Sequence, residues 1–261
     1  VIALAALLLA ALLQVLPPES EQGALVRAAV EPGSRVALNG TEVPVAPDGG
    51  FILGFDRDQG AEARLVVTGA GGNVREHLVK VTPRAWRIEH VDVARRPGGA
   101  TADFMRVREP ELARIAAARA VRSGAQGWRQ RFIWPARGRI SGRFGSQRVY
   151  RGEPGSYHNG VDVAAGAGAP VAAPADGIVV LAAERPFSLE GNLVIIDHGH
   201  GLNSAFLHLS RIDVREGQAV SQGDAIGAVG ATGRATGPHL HWALTWNGAR
   251  LDPERVAGAM E

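Results

Sequence analysis

Beyond Phe132 the chain is cut into short apolar runs by glycine, proline and aspartate, and this punctuation constrains the fold more than any other feature. Gly177-Ile178-Val179-Val180-Leu181, Asn192-Leu193-Val194-Ile195-Ile196-Asp197, Ala205-Phe206-Leu207-His208-Leu209, Ala225-Ile226-Gly227-Ala228-Val229 and His239-Leu240-His241-Trp242-Ala243-Leu244 are too short for helices. Their β-branched and aromatic content and their turn-forming borders predict antiparallel strands in a folded-over sheet, with no helix after Phe132. The expected class is therefore mainly β.

The N-terminal part reads differently. Residues 1–16 carry no charge and stop at Pro17-Pro18, which predicts a membrane-targeting segment over 1–17, either a signal-peptide core or an anchor, and hence an exported protein of the periplasm or cell envelope. Residues 24–83 hold Arg35-Val36-Ala37-Leu38, Phe51-Ile52-Leu53, Arg64-Leu65-Val66-Val67 and His77-Leu78-Val79-Lys80-Val81, separated by turns such as Asp48-Gly49-Gly50. Asn39-Gly40 between two apolar runs is a strong hairpin signal. A small β-sandwich follows, resembling immunoglobulin-like modules of exported bacterial proteins. Residues 84–131 read as a linker, with a flexible joint at Arg95-Arg96-Pro97-Gly98-Gly99 and one helix from Glu109-Pro110-Glu111-Leu112 to Val121-Arg122-Ser123-Gly124.

Charge and cysteine content narrow the chemistry. With 28 basic against 26 acidic residues the net charge is +2, too small to argue for nucleic acid, and there is no aromatic-and-basic patch of the kind that grips single strands. Without cysteine, a thiolate nucleophile or thiolate metal site is excluded, so a metal must be held by histidine and carboxylate.

Two such residue sets stand out. In an extended chain alternate side chains share a face, so His239 and His241 can address one point in space. Asp162 follows His158 by four positions, an even spacing that puts both on one face of a strand, and Val161 and Val163 favour extended backbone. Imidazole, carboxylate and a third ligand from the His239/His241 pair would leave a fourth tetrahedral position open, as in a catalytic zinc site, and His208 is a further candidate. His198 and His200 form another evenly spaced pair. Gly199 and Gly201 place them in a turn, where exposed or turn-capping histidine is expected.

In order along the chain, Ser141-Gly142-Arg143-Phe144-Gly145, His158-Asn159-Gly160-Val161-Asp162, Ala172-Ala173-Pro174-Ala175-Asp176-Gly177, Ile195-Ile196-Asp197-His198-Gly199, Phe206-Leu207-His208-Leu209-Ser210 and Gly233-Arg234-Ala235-Thr236-Gly237-Pro238-His239-Leu240-His241 resemble the motifs of lysostaphin-type (LytM-like) zinc metallopeptidases. The resemblance covers about residues 132–253. It implies a β-sheet domain with a groove, one Zn2+ and hydrolysis of the peptide cross-links or stem peptides of bacterial peptidoglycan. It further implies zinc ligands His158, Asp162 and His241 and a catalytic pair His208 and His239; of the pair we assign His239 as base and His208 as stabiliser of the oxyanion, with the exchange of these two roles as the alternative. Two positions depart from the pattern: Phe206 stands where the family often has tyrosine, and Ala243 where it often has glutamate, so the histidines must be oriented by other groups. A non-enzymatic wall-binding or amidase-activating relative is the alternative. A biotinyl or lipoyl carrier is disfavoured because those need a lysine at a hairpin tip, and the only lysine is Lys80.

Overall fold

The computed structural model describes residues 17–94 and 101–260. The apolar segment 1–16 and the Arg95-Arg96-Pro97-Gly98-Gly99 joint lie outside the described residues. Among the described residues no helix is long and apolar enough to cross a membrane. The chain divides into two compact units, Val1–Arg84 and Ala85–Glu261.

In the first unit, β1 (Glu19–Glu21), β2 (Leu25–Ala29), β3 (Arg35–Leu38), β4 (Thr41–Val43), β5 (Gly50–Gly54), β6 (Glu62–Thr68) and β7 (Val74–Thr82) form two sheets. The larger has the order β1-β7-β6-β3-β4, and β2 pairs with β5. The β3–β4 hairpin turns on Asn39 and Gly40, both at positive φ (49° and 83°), as the Asn-Gly signal predicts. Phe51, Leu53, Phe55, Leu65 and Val79 are fully buried, each from a strand or its end.

The second unit opens with β8 (Ile88–Val91) and the helix α1 (Ala102–Ala120). The helix begins earlier than the sequence predicts. Thr101 accepts a hydrogen bond from Phe104 N at 3.1 Å and so caps it, while Pro110, expected at the first turn, sits inside with its ring exposed. The strands that follow are β9 (Arg139–Gly142), β10 (Gln147–Tyr150), β11 (Glu153–Tyr157), β12 (Val161–Ala164), β13 (Pro170–Ala172), β14 (Gly177–Ala182), β15 (Asn192–Asp197), β16 (Leu202–Leu209), β17 (Arg211–Ile212), β18 (Ala219–Val220), β19 (Ala225–Ala228), β20 (Leu240–Trp246) and β21 (Ala249–Leu251). A short helix α2 (Pro253–Ala257) ends the unit, contrary to the expectation of no helix after Phe132. Asp252 accepts from Glu254 N and Pro253 occupies the first turn, the start chemistry that a five-residue helix needs.

The main sheet is antiparallel throughout, in the order β18-β14-β15-β16-β20-β12-β9, with β21 added beside β20. The class is mainly β, with a helix between the N-terminal and C-terminal sheets. Register decides what each face carries. Directly opposed residues of antiparallel strands point the same way, and the partners Asp162–His241, His241–Leu207, Ala243–Ala205, Ala205–Ile195 and Ile195–Leu181 run across five strands. One face of the sheet therefore carries both the ligand candidates and an apolar floor. Ile115 and Ala118 of α1 pack on that floor, against Leu181, Leu193, Ile195, Ala205 and Ala243. The opposite face carries Trp242 and Phe206, both fully buried, with the Trp134 ring edge-on to Trp242 at 5.8 Å.

Candidate metal centre

β12 and β20 lie side by side, so Asp162 and His241 are register partners and project together. His158 reaches them from outside the strands. It follows β11, and residues 158–160 belong to no strand, so the expectation that His158 and Asp162 share one strand face is corrected. The chain bends at Gly160 to bring them together. A Cβ there would lie 2.5 Å from Trp242 O and 2.7 Å from His241 Nε2, so only glycine lets this bend press against β20.

The three donor atoms converge. His158 Nε2 is 3.0 Å from Asp162 Oδ1 and 3.1 Å from His241 Nδ1, and His241 Nδ1 is 2.8 Å from Asp162 Oδ1. His158 Nδ1 donates to Arg143 O at 3.2 Å, which turns the lone pair of Nε2 toward the other two ligands in the neutral ring. Tetrahedral ligands with bonds of about 2.0 Å stand about 3.3 Å apart, so two imidazole nitrogens and a carboxylate oxygen at these separations fit a small divalent cation. His158, Asp162 and His241 are thus a metal site.

The Asp162 carboxylate dominates the electrostatics of the cluster. Burial opposes ionisation of Asp162, yet its hydrogen bonds with His158 and His241 prevail and hold its carboxyl well below the ordinary range. Burial also works against the charged form of His158, but the Asp162 carboxylate beside it wins and raises its pKa. His241, almost fully enclosed, is lowered by burial.

His208 and His239 stand beside this cluster. Their rings are 4.9 Å apart, and His239 Nε2 is 3.8 Å from Asp162 Oδ1. The His208 ring is 6.3 Å from that of His241. Each donates Nδ1–H to a backbone carbonyl, His208 to Thr232 O and His239 to Gly237 O, both at 2.8 Å. These carbonyls, with Arg143 O, supply the orientation that side chains at 206 and 243 do not.

Strand alternation alone would send His208 to the wrong face. Leu207 is the partner of His241, so His208 should point with Phe206 into the opposite side. Its backbone is left-handed instead, at φ 65°, which breaks the alternation at a cost of about 1–2 kcal/mol for a residue with a Cβ. Phe206 itself pairs with Trp242 on the far face, so a tyrosine hydroxyl there would sit in the core and not at the site. Ala243 lies under α1, where a glutamate would bury its charge against Ile115 and Ala118.

His198 and His200 lie outside the cluster. His198 is fully buried rather than exposed, with Nδ1 on Asp176 O and Nε2 on Ser204 Oγ, both at 2.8 Å, and burial lowers its pKa to about 4. His200 stacks on Trp128 at 4.1 Å. Arg143 pairs with Glu254, and Arg148 with Glu89 at 2.8 Å.

Comparison with known proteins agrees with this geometry. The model of Peptidase family M23 matches residues 156–253. The chain is 43% identical over 123 residues to the peptidoglycan DD-endopeptidase ShyA of Vibrio cholerae, and 42% identical over the same length to the DD-carboxypeptidase/endopeptidase Mpg of Neisseria meningitidis. Each match takes in 46% of this chain and 27% of the relative, so the chain spans about a quarter of the length of the curated relatives it matches. A crystal structure of a peptidase M23 from Pseudomonas aeruginosa superposes with a TM-score of 0.69 at 30% identity, covering 92% of this chain and 95% of that one. With the likeness running through nearly the whole of both chains and the histidine–aspartate cluster formed, the chain belongs to peptidase family M23.

Proposed function

We propose that the protein is a zinc-dependent endopeptidase that hydrolyses peptide bonds in peptidoglycan cross-links or stem peptides. The observation that carries this reading is the convergence of His158, Asp162 and His241 with two further histidines whose Nε2 atoms are left to face the cluster. Two imidazoles and one carboxylate favour zinc over magnesium or calcium. Bound there, zinc supplies a Lewis acid that polarises a peptide carbonyl and makes water a stronger acid.

The chain's own groups handle the protons. A neutral ring whose Nδ1–H is committed to a carbonyl presents a lone pair at Nε2, so His239 accepts a proton from the attacking water and, once charged, returns it to the departing amine. Its 3.8 Å approach to Asp162 favours it for this role. His208 stands across from it and stabilises the oxygen that gains charge. Either ring needs a second proton at Nε2 for that role, since both Nδ1–H groups are committed to carbonyls, and the exchanged assignment, His208 as base and His239 as stabiliser, is the alternative.

The peptidoglycan substrate rests on the names of the relatives: ShyA is a DD-endopeptidase, which points to D,D cross-links, and such a substrate places the working protein in the cell envelope. The non-enzymatic alternative is disfavoured because all five positions are present and gathered. Mass spectrometry of purified peptidoglycan after incubation with zinc-loaded protein tests the reading. Cross-linked muropeptides should disappear as products bearing one added water appear, with Asp162→Ala inert. Unchanged muropeptides would contradict it and favour a binding module.

A further inference from the structure

The helix α1 does more than cover apolar surface. Near its first turns Arg108 extends to the loop between β14 and β15 and grips Glu190 with both arms of its guanidinium, Nη1 to Oε2 at 2.6 Å and Nη2 to Oε1 at 2.7 Å. Nη1 also donates to Glu111 Oε2 at 3.0 Å, and Glu111 accepts from Ser188 N at 2.6 Å and Ser188 Oγ at 2.5 Å. The side chains of Arg108 and Glu190 are only 10% and 15% exposed, so solvent screens this pair weakly. A planar fork on a carboxylate fixes direction as well as distance.

The loop so held touches His208. Glu190 O accepts the backbone N–H of His208 at 2.8 Å, the hydrogen bond made by a residue whose φ of 65° reverses its side chain toward the metal site. The next residues hold the carbonyl that orients the ring. Asn192 N donates to Thr232 Oγ1 at 2.8 Å, and Gly191, at φ 66°, presses so closely on Thr232 that a Cβ would strike it. Thr232 O is the acceptor of His208 Nδ1. Both the main chain and the ring of His208 are therefore braced by residues 190–192 and their partner Thr232, and α1 braces that loop.

We propose that Arg108 and Glu190 are positioning residues for His208, holding the 187–192 loop so that the left-handed backbone of His208 and its ring tether are kept. The proposal rests on the hydrolase reading for its effect on rate, but its structural half can be read without catalysis. Residues outside the family match at 156–253 then contribute to the site, because Arg108 precedes that match.

The test uses the full chain. In Arg108→Gln, kcat should fall about 10-fold with KM and zinc stoichiometry unchanged, the signature of a misplaced group and not of a lost ligand. The amide proton of His208 should exchange about 10-fold faster. Arg108→Lys, which keeps the charge but not the fork, should recover part of both, and Glu190→Gln should behave as a milder Arg108→Gln should the latter fold poorly. Arg106→Ala, which breaks the exposed 2.6 Å pair with Asp103 on the same helix and touches no residue of the loop, should change neither. Equal loss in Arg106→Ala, or unaltered His208 exchange in Arg108→Gln and Glu190→Gln, would overturn the proposal. If the wild-type protein cleaves nothing, the hydrolase reading fails alone, and the exchange comparison still decides the positioning.

Discussion

The sequence contains two evenly spaced histidine pairs, His239/His241 and His198/His200, and they have opposite fates. The first enters and begins β20, where the pleat and the neighbouring Asp162 gather both rings on one face. The second falls in a turn with Gly199 at φ 89°, His200 at 52° and Gly201 at 79°, so the rings separate. His198 goes into the core between Asp176 O and Ser204 Oγ, and His200 onto Trp128. Spacing proposes a site, and backbone conformation decides whether one forms.

The largest expected effect breaks the first pair's partner. Asp162→Ala removes the one anionic ligand and leaves two imidazoles. Zinc stoichiometry by atomic emission should fall from one to near zero, and hydrolysis by roughly a thousandfold or more. His198→Ala should do the reverse. It should bind zinc normally but lose on the order of 3 kcal/mol in urea unfolding, from two hydrogen bonds and a cavity in a fully enclosed place.

Acid should sharpen the contrast. The folded His198 has a pKa of about 4 against an ordinary 6.5, so between these values the unfolded chain binds the extra proton. Stability contributed by the neutral buried ring is complete above about pH 6.5 and declines as pH falls toward 4, by on the order of 3 kcal/mol in total. Denaturation midpoints across that window should show this slope, and His198→Gln should flatten it. The smallest effect belongs to the half-buried member of the turn: His200→Ala should cost about 0.5–1.5 kcal/mol for its stack on Trp128, with kcat unaltered.

What the sequence conveyed depended on whether side-chain identity mattered. In a chain without cysteine a metal ligand comes from histidine or a carboxylate, so His158, Asp162 and the His239/His241 pair could be singled out, and the family resemblance chose His241 from that pair. Any residue offers a carbonyl, so Arg143 O, Thr232 O and Gly237 O, which aim the rings, had no signature. The strands were legible because β14, β15 and β20 are short apolar runs between turn formers. The bend at Gly160 was not, since its reason is the closeness of Trp242 on β20, a contact across 82 positions set by sheet pairing rather than local propensity. Proline favours the first turn of a helix and so marks a start at Pro110, whereas the Thr101 cap begins α1 two turns earlier. Asp252-Pro253-Glu254 did carry a start signal for α2, but a helix of five residues leaves too little periodicity to stand out. The left-handed φ of His208 had no local sign at all, because it is held by the 187–192 loop.

The central claim is that one strand step divides ligand from catalyst. Zinc titration of His239→Ala and His241→Ala, followed by the peptidoglycan digest on each, tests it most directly. His239→Ala should bind one zinc and lose hydrolysis by roughly a hundredfold or more, whereas His241→Ala should lose both. Equal loss of zinc in the two variants, or undiminished hydrolysis in His239→Ala, would contradict it.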